Sequence, residues 1–164
     1  MHDPSFVVIS DTTAIIALTL IDKLELLQKL YGKVTIPSAV SHELLAGAGN
    51  SGIIDARRID WLYVKNLADP MLAELFSDLD KGEAEVIALG REMKADLLIM
   101  DERLARKYAK RLKFTVTGTV GVLLRAKAEG HIPSVRPFLN ELKNGGFRLK
   151  DDLIEEAVKL AGEI

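Results

Sequence analysis

The chain has 164 residues, 48% hydrophobic and 28% charged, which is enough for one domain with a real core and ordinary for a globular protein. No apolar run approaches the ~20 residues of a membrane span. Cysteine is absent, which excludes disulfides, thiolate metal sites and cysteine nucleophiles. The net charge of −2 excludes a wholly basic nucleic-acid binder, so any such role needs a local patch.

The first element is Phe6–Ser10, a β-branched and aromatic run that reads as a strand buried on both faces. It stops at Ser10-Asp11-Thr12-Thr13, and Ala14–Leu20 then reads as a helix. Asp11 therefore stands at the carboxyl end of a strand, where open α/β sheets place their ligands. It stands equally before a helix, where an Asp caps backbone N–H groups.

Asp22 with Glu25 has the spacing of a capping box opening Lys23–Leu30. A strand follows at Lys33–Ile36. Pro37-Ser38 opens a helix to about Ala46, ended by the segment Gly47-Ala48-Gly49-Asn50-Ser51-Gly52. Leu62–Val64 reads as a strand and Pro70–Phe76 as a short helix. Asp80 with Glu83 is a second capping box, opening a helix to about Lys94. Leu97–Met100 and Phe114–Val116 are the remaining strands, each followed by a helix, Glu102–Leu112 and Thr119–Glu129. This alternation predicts an α/β fold, with a central parallel sheet of about five strands and helices on both faces. After Gly130 the pattern changes to two helices, Pro133–Lys143 and Asp151–Gly162, read as an appended helical pair within a single domain over 1–164.

Asp101 repeats the situation of Asp11: it directly follows Leu97-Leu98-Ile99-Met100, the most continuous apolar run in the chain. If strand order reverses between the first and fourth strands, the two acids flank the switch-point crevice. Glu43 and Glu83 lie early in helices that follow strands and can face the same end of the sheet. Each has a plainer role, Glu43 on a solvated helix face and Glu83 inside its capping box. Four carboxylates at one crevice repel one another and call for a cation. With no Cys or His among them, the fitting ions are hard ones such as Mg²⁺ or Mn²⁺. Such ions serve in-line hydrolysis of phosphodiesters. His2, His42 and His131 form no metal-ligand spacing, and Trp61 reads as a core residue.

Basic residues cluster directly after Asp101. Arg103, Arg106, Lys107 and Lys110 follow i, i+3, i+4, i+7 spacing on one helix face. That stripe is either a solvated face or a track leading an RNA backbone to the acids.

The ordered set "VVISDTTA", "TIPSAVSHEL", "DKGEAEVIALG" and "LLIMDERLAR" resembles a PIN domain, the nuclease fold of VapC-type toxins. A PIN-like subgroup resembles the chain even in "GTVGVLLRAKAEGHI" and the final "AGE", so the likeness spans nearly its whole length. The resemblance implies a three-layer PIN-like fold and a metal-dependent endoribonuclease with Asp11, Glu43, Glu83 and Asp101 as catalytic and metal-holding acids. The family's third acid is usually Asp. Glu83 fits its place, and Glu85, about 200° further round the helix, competes for it. Thr12 or Thr13 falls where the family often carries a hydroxyl beside the first acid. Glu102 is expected near the site as a helix-start residue, and Thr117 is expected to line the crevice. The resemblance also implies RNA as substrate, a small antitoxin partner, a homodimer, no membrane association and a cytoplasmic location, which the absence of a basic segment before the first apolar stretch fits.

One rival hydrolase class and one receiver class share part of the pattern. Strand-Asp-x-Thr opens haloacid dehalogenase-like phosphatases, but these want a second acid two residues on, where Thr13 stands here. A response-regulator receiver wants an acid ending the third strand, where Val64-Lys65-Asn66 stands. A third alternative is a binding or scaffold module that keeps the fold without useful catalysis.

Overall fold

Short apolar runs set the strands. The computed structural model describes residues 2–49 and 51–163, so Asn50 of the expected glycine-rich segment lies outside the described residues. The strands are β1 (Val8–Ser10), β2 (Val34–Pro37), β3 (Leu62–Lys65), β4 (Leu97–Ile99) and β5 (Val116–Thr117). All pair in parallel, in the order β3-β2-β1-β4-β5. β1, β2 and β4 are wholly buried, as β-branched runs covered on both faces must be. β3, at one edge, exposes Tyr63, Val64 and Lys65.

The helices are α1 (Thr12–Leu20), α2 (Leu26–Tyr31), α3 (Ser38–Leu45), α4 (Lys81–Met93), α5 (Arg103–Arg111), α6 (Thr119–Ala128), α7 (Arg136–Asn144) and α8 (Asp151–Leu160). Ala56–Arg58 and Pro70–Phe76 are 3-10 turns, so the second expected helix there is tighter than an α-helix. The five-stranded parallel sheet with helices around it is the α/β architecture that the alternation predicts. Its core includes Ile9, Ile15, Leu18, Leu98, Ile99 and Met100, all fully buried.

The capping box expected at Asp22 does not form. Asp22 takes a left-handed φ of 55° and closes α1. Lys23 N donates to Leu18 O (2.8 Å) and Asp22 N to Thr19 O (3.0 Å), the paired bonds of a Schellman motif. The residue is used up ending one helix, and α2 begins only at Leu26, with no side-chain cap. The box at Asp80 and Glu83 does form.

Strand order reverses at the centre of the sheet. From β1 the chain moves outward to β2 and β3, then returns to the other side of β1 for β4 and β5. Ser10 pairs with Ile99, and Asp11 N donates to Ile99 O at 2.9 Å. The carboxyl ends of β1 and β4 thus form the switch point, with an acid at each. The tail is clamped against α6: Lys127 Nζ donates to Ala161 O (2.7 Å) and to Glu163 (2.9 Å). Glu163 also accepts the amides of Val135 and Arg136.

Candidate active site

The first two acids are held by backbone amides. Asp11 is 3% exposed. Its Oδ1 accepts Ala14 N (2.9 Å) as the N-cap of α1, and its Oδ2 accepts Asp101 N (3.0 Å) across the switch point. Both sequence readings of Asp11 therefore hold at once: one oxygen caps, the other faces the crevice. Asp101 works differently. Its Oδ1 accepts Thr119 N (2.8 Å) and its Oδ2 meets Thr119 Oγ1 (2.5 Å), so it caps α6 from another element. The intervening Gly118 must be small. A Cβ there would lie 2.6 Å from Asp101 Oδ1 and 2.8 Å from Arg106 Nη1.

The two glutamates come from α3 and α4. Glu43 is half-buried, and its Oε2 accepts the Thr12 hydroxyl (2.8 Å). Its Oε1 lies where a Cβ on Gly82 would collide, so Gly82 lets the start of α4 approach α3 closely. Glu83 Oε1 accepts Asp80 N (3.2 Å), while Asp80 Oδ1 accepts Glu83 N (2.8 Å). Glu85 turns elsewhere: it is buried, and its Oε1 accepts Ala39 N (3.0 Å) in the first turn of α3. The two residues are separated as a helix of 3.6 residues per turn requires. Glu83 shares a field with Asp11, and Glu85 is an N-terminal cap for α3.

The cluster resists ionisation. Burial first, then the Asp101 charge, pushes the Asp11 carboxyl up to about 8, against the two amides that donate to it, and Glu83 adds to the rise. Burial first, then Asp80, pushes Glu83 up to about 7, with Glu102 contributing. Burial also raises Glu43, opposed by Thr12 and the Gly82 amide. Glu102 is exposed and caps α5 through Ala105 N (2.9 Å).

These carboxylates suit a hard divalent ion. The donors are oxygens only, and each amide-bound oxygen keeps a lone pair. Among the described residues no three Asp, Glu, His or Cys side chains converge to enclose an ion unaided. Mg²⁺-type ions need no such cage, since they retain several waters and take one or two carboxylates. A cation beside Asp11 and Asp101 would offset the burial and the repulsion that keep the Asp11 proton in place.

The hydroxyls and cations divide. Thr12 is buried and serves Glu43, whereas Thr13 is exposed and, with Thr117, lines a cleft of about 720 Å³ that begins at Asp101 and Glu102. Of the basic stripe, Arg103, Lys107 and Lys110 are exposed. Arg106 departs from that solvated face: it is partly buried, lines the cleft and donates from Nη1 to Met100 O at 2.9 Å. Sequence reasoning missed Thr119, Gly118 and Gly82. The first two had a signal, because "VTGTV" after the fifth strand repeats the strand-to-helix junction with hydroxyls seen in "SDTTA". Trp61 packs against the core, and His2, His42 and His131 are exposed.

A doubly wound parallel sheet with acids at its switch point belongs to the class of α/β proteins that bind ligands at strand carboxyl ends. A family model described as PIN domain matches residues 7–163, and the chain belongs to that family. PIN domains are generally nucleases and typically use divalent metals. No curated protein and no solved structure was found to match the chain. Among the described residues no helix is long and apolar enough to cross a membrane.

Proposed function

We propose that the protein is a metal-dependent endoribonuclease that hydrolyses RNA phosphodiester bonds. The observation carrying this reading is the meeting of Asp11 and Asp101 at the switch point, joined by a hydrogen bond between one carboxylate and the other's amide, with Glu83 in the same field. Asp11 and Asp101 would hold the ion, with Glu43 and Glu83 completing the wall. Mg²⁺ or Mn²⁺ would supply charge neutralisation for the phosphate and a lowered pKa for water.

The chain's own residues then have distinct tasks. Thr119 fixes the Asp101 carboxylate by two contacts, so its orientation is set before substrate arrives. Thr12 does the same for Glu43. Glu83, which shares the field of Asp11, would take a proton from the attacking water. The water oxygen would bond to phosphorus as the P–O ester bond opposite breaks, the departing oxygen taking a proton from solvent and Glu83 returning the water's proton to solvent. Arg103, Lys107 and Lys110 on exposed α5 draw the RNA backbone toward an otherwise repulsive acidic site.

The partners follow the same reading: the enzyme is the toxin of a toxin–antitoxin pair and a homodimer. Exposed Tyr63 and Val64 on edge strand β3, with Met71 and Leu75 on the 3-10 turn after it, offer apolar surface away from the cleft for a second copy. Light scattering on the purified chain tests the dimer, and a strict monomer at high concentration refutes it. The activity is tested by incubating purified protein with single-stranded RNA in Mg²⁺, Mn²⁺ or EDTA. Cleavage only with the ions supports the proposal. Equal cutting in EDTA, or release of phosphate from monoesters without RNA cleavage, overturns it.

A further inference from the structure

The cleft beside the acids does not end with them. From Asp101, Glu102 and Arg106 it continues over β5 and α6 to the α7–α8 connection and α8 itself. Its far half is mainly apolar, built by Val120, Leu124, Phe147, Leu149, Leu153 and Leu160, with the exposed Glu156 as its one carboxylate. Leu153, Ala157 and Leu160 follow i, i+4, i+7 spacing and present one side of α8 to the cleft. Leu153 is 42% exposed and Leu160 73%, so this side is open to solvent. No other aromatic ring packs on Phe147 among the described residues.

Two arginines border the apolar half. Arg106 stands at its junction with the acids, and Arg148 follows Phe147 in the α7–α8 connection. Among the described residues neither is within ion-pair distance of a carboxylate. Arg106 is steered by a neutral acceptor, the Met100 carbonyl, which engages one Nη1 proton and leaves the rest of the guanidinium fork free. An apolar partner helix laid into this cleft would bury both cations without a counter-charge, at considerable cost. A ligand with a flat apolar part and flanking phosphates meets both needs.

The geometry points to a nucleotide subsite: one unstacked base of a single RNA strand seats among Phe147, Leu149 and Leu153, while Arg106 and Arg148 hold the phosphates on its two sides. This rests on the ribonuclease reading for the direction of the strand, which passes from the subsite to the acids. About 720 Å³ lies within the range of small-ligand pockets and is ample for one nucleotide with water. The α7–α8 tail is then a substrate-selecting wall rather than packing alone.

Binding separates the subsite from the chemistry. In full-length Asp101→Asn protein, fluorescence anisotropy compares a labelled single-stranded RNA with a ribose-phosphate strand of equal length lacking bases. Leu153→Ser is expected to weaken RNA binding about tenfold, as loss of one base contact does, and to leave the base-free strand unaffected. Arg148→Gln is expected to weaken both strands equally and reduce the salt slope by about one. Leu153 is exposed, so its variant keeps the parent melting temperature; Phe147→Ala, in a partly buried position, is the companion. The subsite is overturned if Leu153→Ser weakens both strands alike or neither, or if it changes the oligomeric state, which assigns the face to a protein. Cleavage by wild type is measured apart, so a protein that binds bases but never cuts sinks the ribonuclease reading alone.

Discussion

Asp101→Asn separates the charge of this carboxylate from its hydrogen bonds. An asparagine Oδ1 accepts Thr119 N, and its amide donates to Thr119 Oγ1, so both partners of Asp101 are kept. Exchanging charge-assisted for neutral bonds costs about 1 kcal/mol. Against this stands relief of Asp11. Its rise from 3.8 to about 8 corresponds to about 6 kcal/mol at high pH, with burial the larger cause and Asp101 the second. If Asp101 accounts for a third, its removal returns about 2 kcal/mol at about pH 9, where Asp11 is ionised in the folded protein, and less than about 1 kcal/mol at about pH 7, where it is mostly protonated. The net is about 1 kcal/mol of stabilisation, a rise in melting temperature of about 3 °C for a chain of this size. Calorimetry in EDTA at about pH 9 should therefore rank Asp101→Asn above wild type, with RNA cleavage abolished in the variant. A melting temperature for Asp101→Asn several degrees below wild type would refute the argument, because the charge would then be holding α6 rather than opposing Asp11.

Further predictions concern pH and neighbouring residues. Asp11 and Glu83 hold protons when folded that they lose when unfolded, so stability in EDTA should fall as pH rises from about 4 to about 8. Mg²⁺ or Mn²⁺ should flatten that slope; a melting temperature that climbs through the window in EDTA contradicts it. The lowered carboxyls, Asp3, Asp55, Glu155 and Glu163, act with opposite sign but below about pH 4.5, at or under the foot of this window. Glu83→Gln should cost at least about a hundredfold in cleavage rate without lowering the melting temperature, since the Gln oxygen still accepts Asp80 N. Glu85→Ala should do the reverse, losing about 1–3 kcal/mol by orphaning the Ala39 amide while specific activity per folded molecule survives. Equal kinetic losses in the two would erase the distinction. Gly118→Ala has no backbone strain to face at φ −125°, so any loss of activity reports displacement of Asp101 or Arg106 by the new methyl; an active variant argues that neither position matters.

How far the sequence reveals this depends on the range of each interaction. Apolar runs that end in acids announce β1 and β4, because burial on both faces needs uninterrupted hydrophobes and the chain must turn polar where the sheet ends. Their adjacency is a topological inference that the register of Ser10 with Ile99 supports. The Asp80–Glu83 box is legible because both partners lie within four residues. Asp22–Glu25 has the same letters and fails, since closure of α1 competes for Asp22 and wins. Thr119 fixing Asp101, Gly82 admitting Glu43 and Arg106 turning to Met100 are contacts between separate elements or across a turn, set by packing. A single sequence shows the residues but not their meeting. The choice between Glu83 and Glu85 follows the same pattern: spacing says that they diverge, and only the position of α3 says which one is left to join the other acids.

Most of the acids at this edge are tolerated because they also serve helix termini; Glu43, inside α3, is held by the Thr12 hydroxyl instead. Asp11 caps α1, Asp101 caps α6, Glu102 caps α5, Glu85 serves α3, and Asp80 with Glu83 closes the start of α4. Those amide donors carry the positive ends of helix dipoles, each a favourable neighbour for an anion at the scale of about 0.3–1 kcal/mol. They soften the repulsion without cancelling it, as Asp11 and Glu83 show by keeping their protons into the neutral range. The distinction between a capping acid and a site acid therefore dissolves here. A protein needing anionic ligands beside an anionic substrate can hold them with backbone amides, which orient the carboxylates and leave lone pairs free. Lysine or arginine partners would neutralise the site outright. The cations stand instead along the cleft and on α5, close enough to receive phosphates and outside ion-pair distance of the acids.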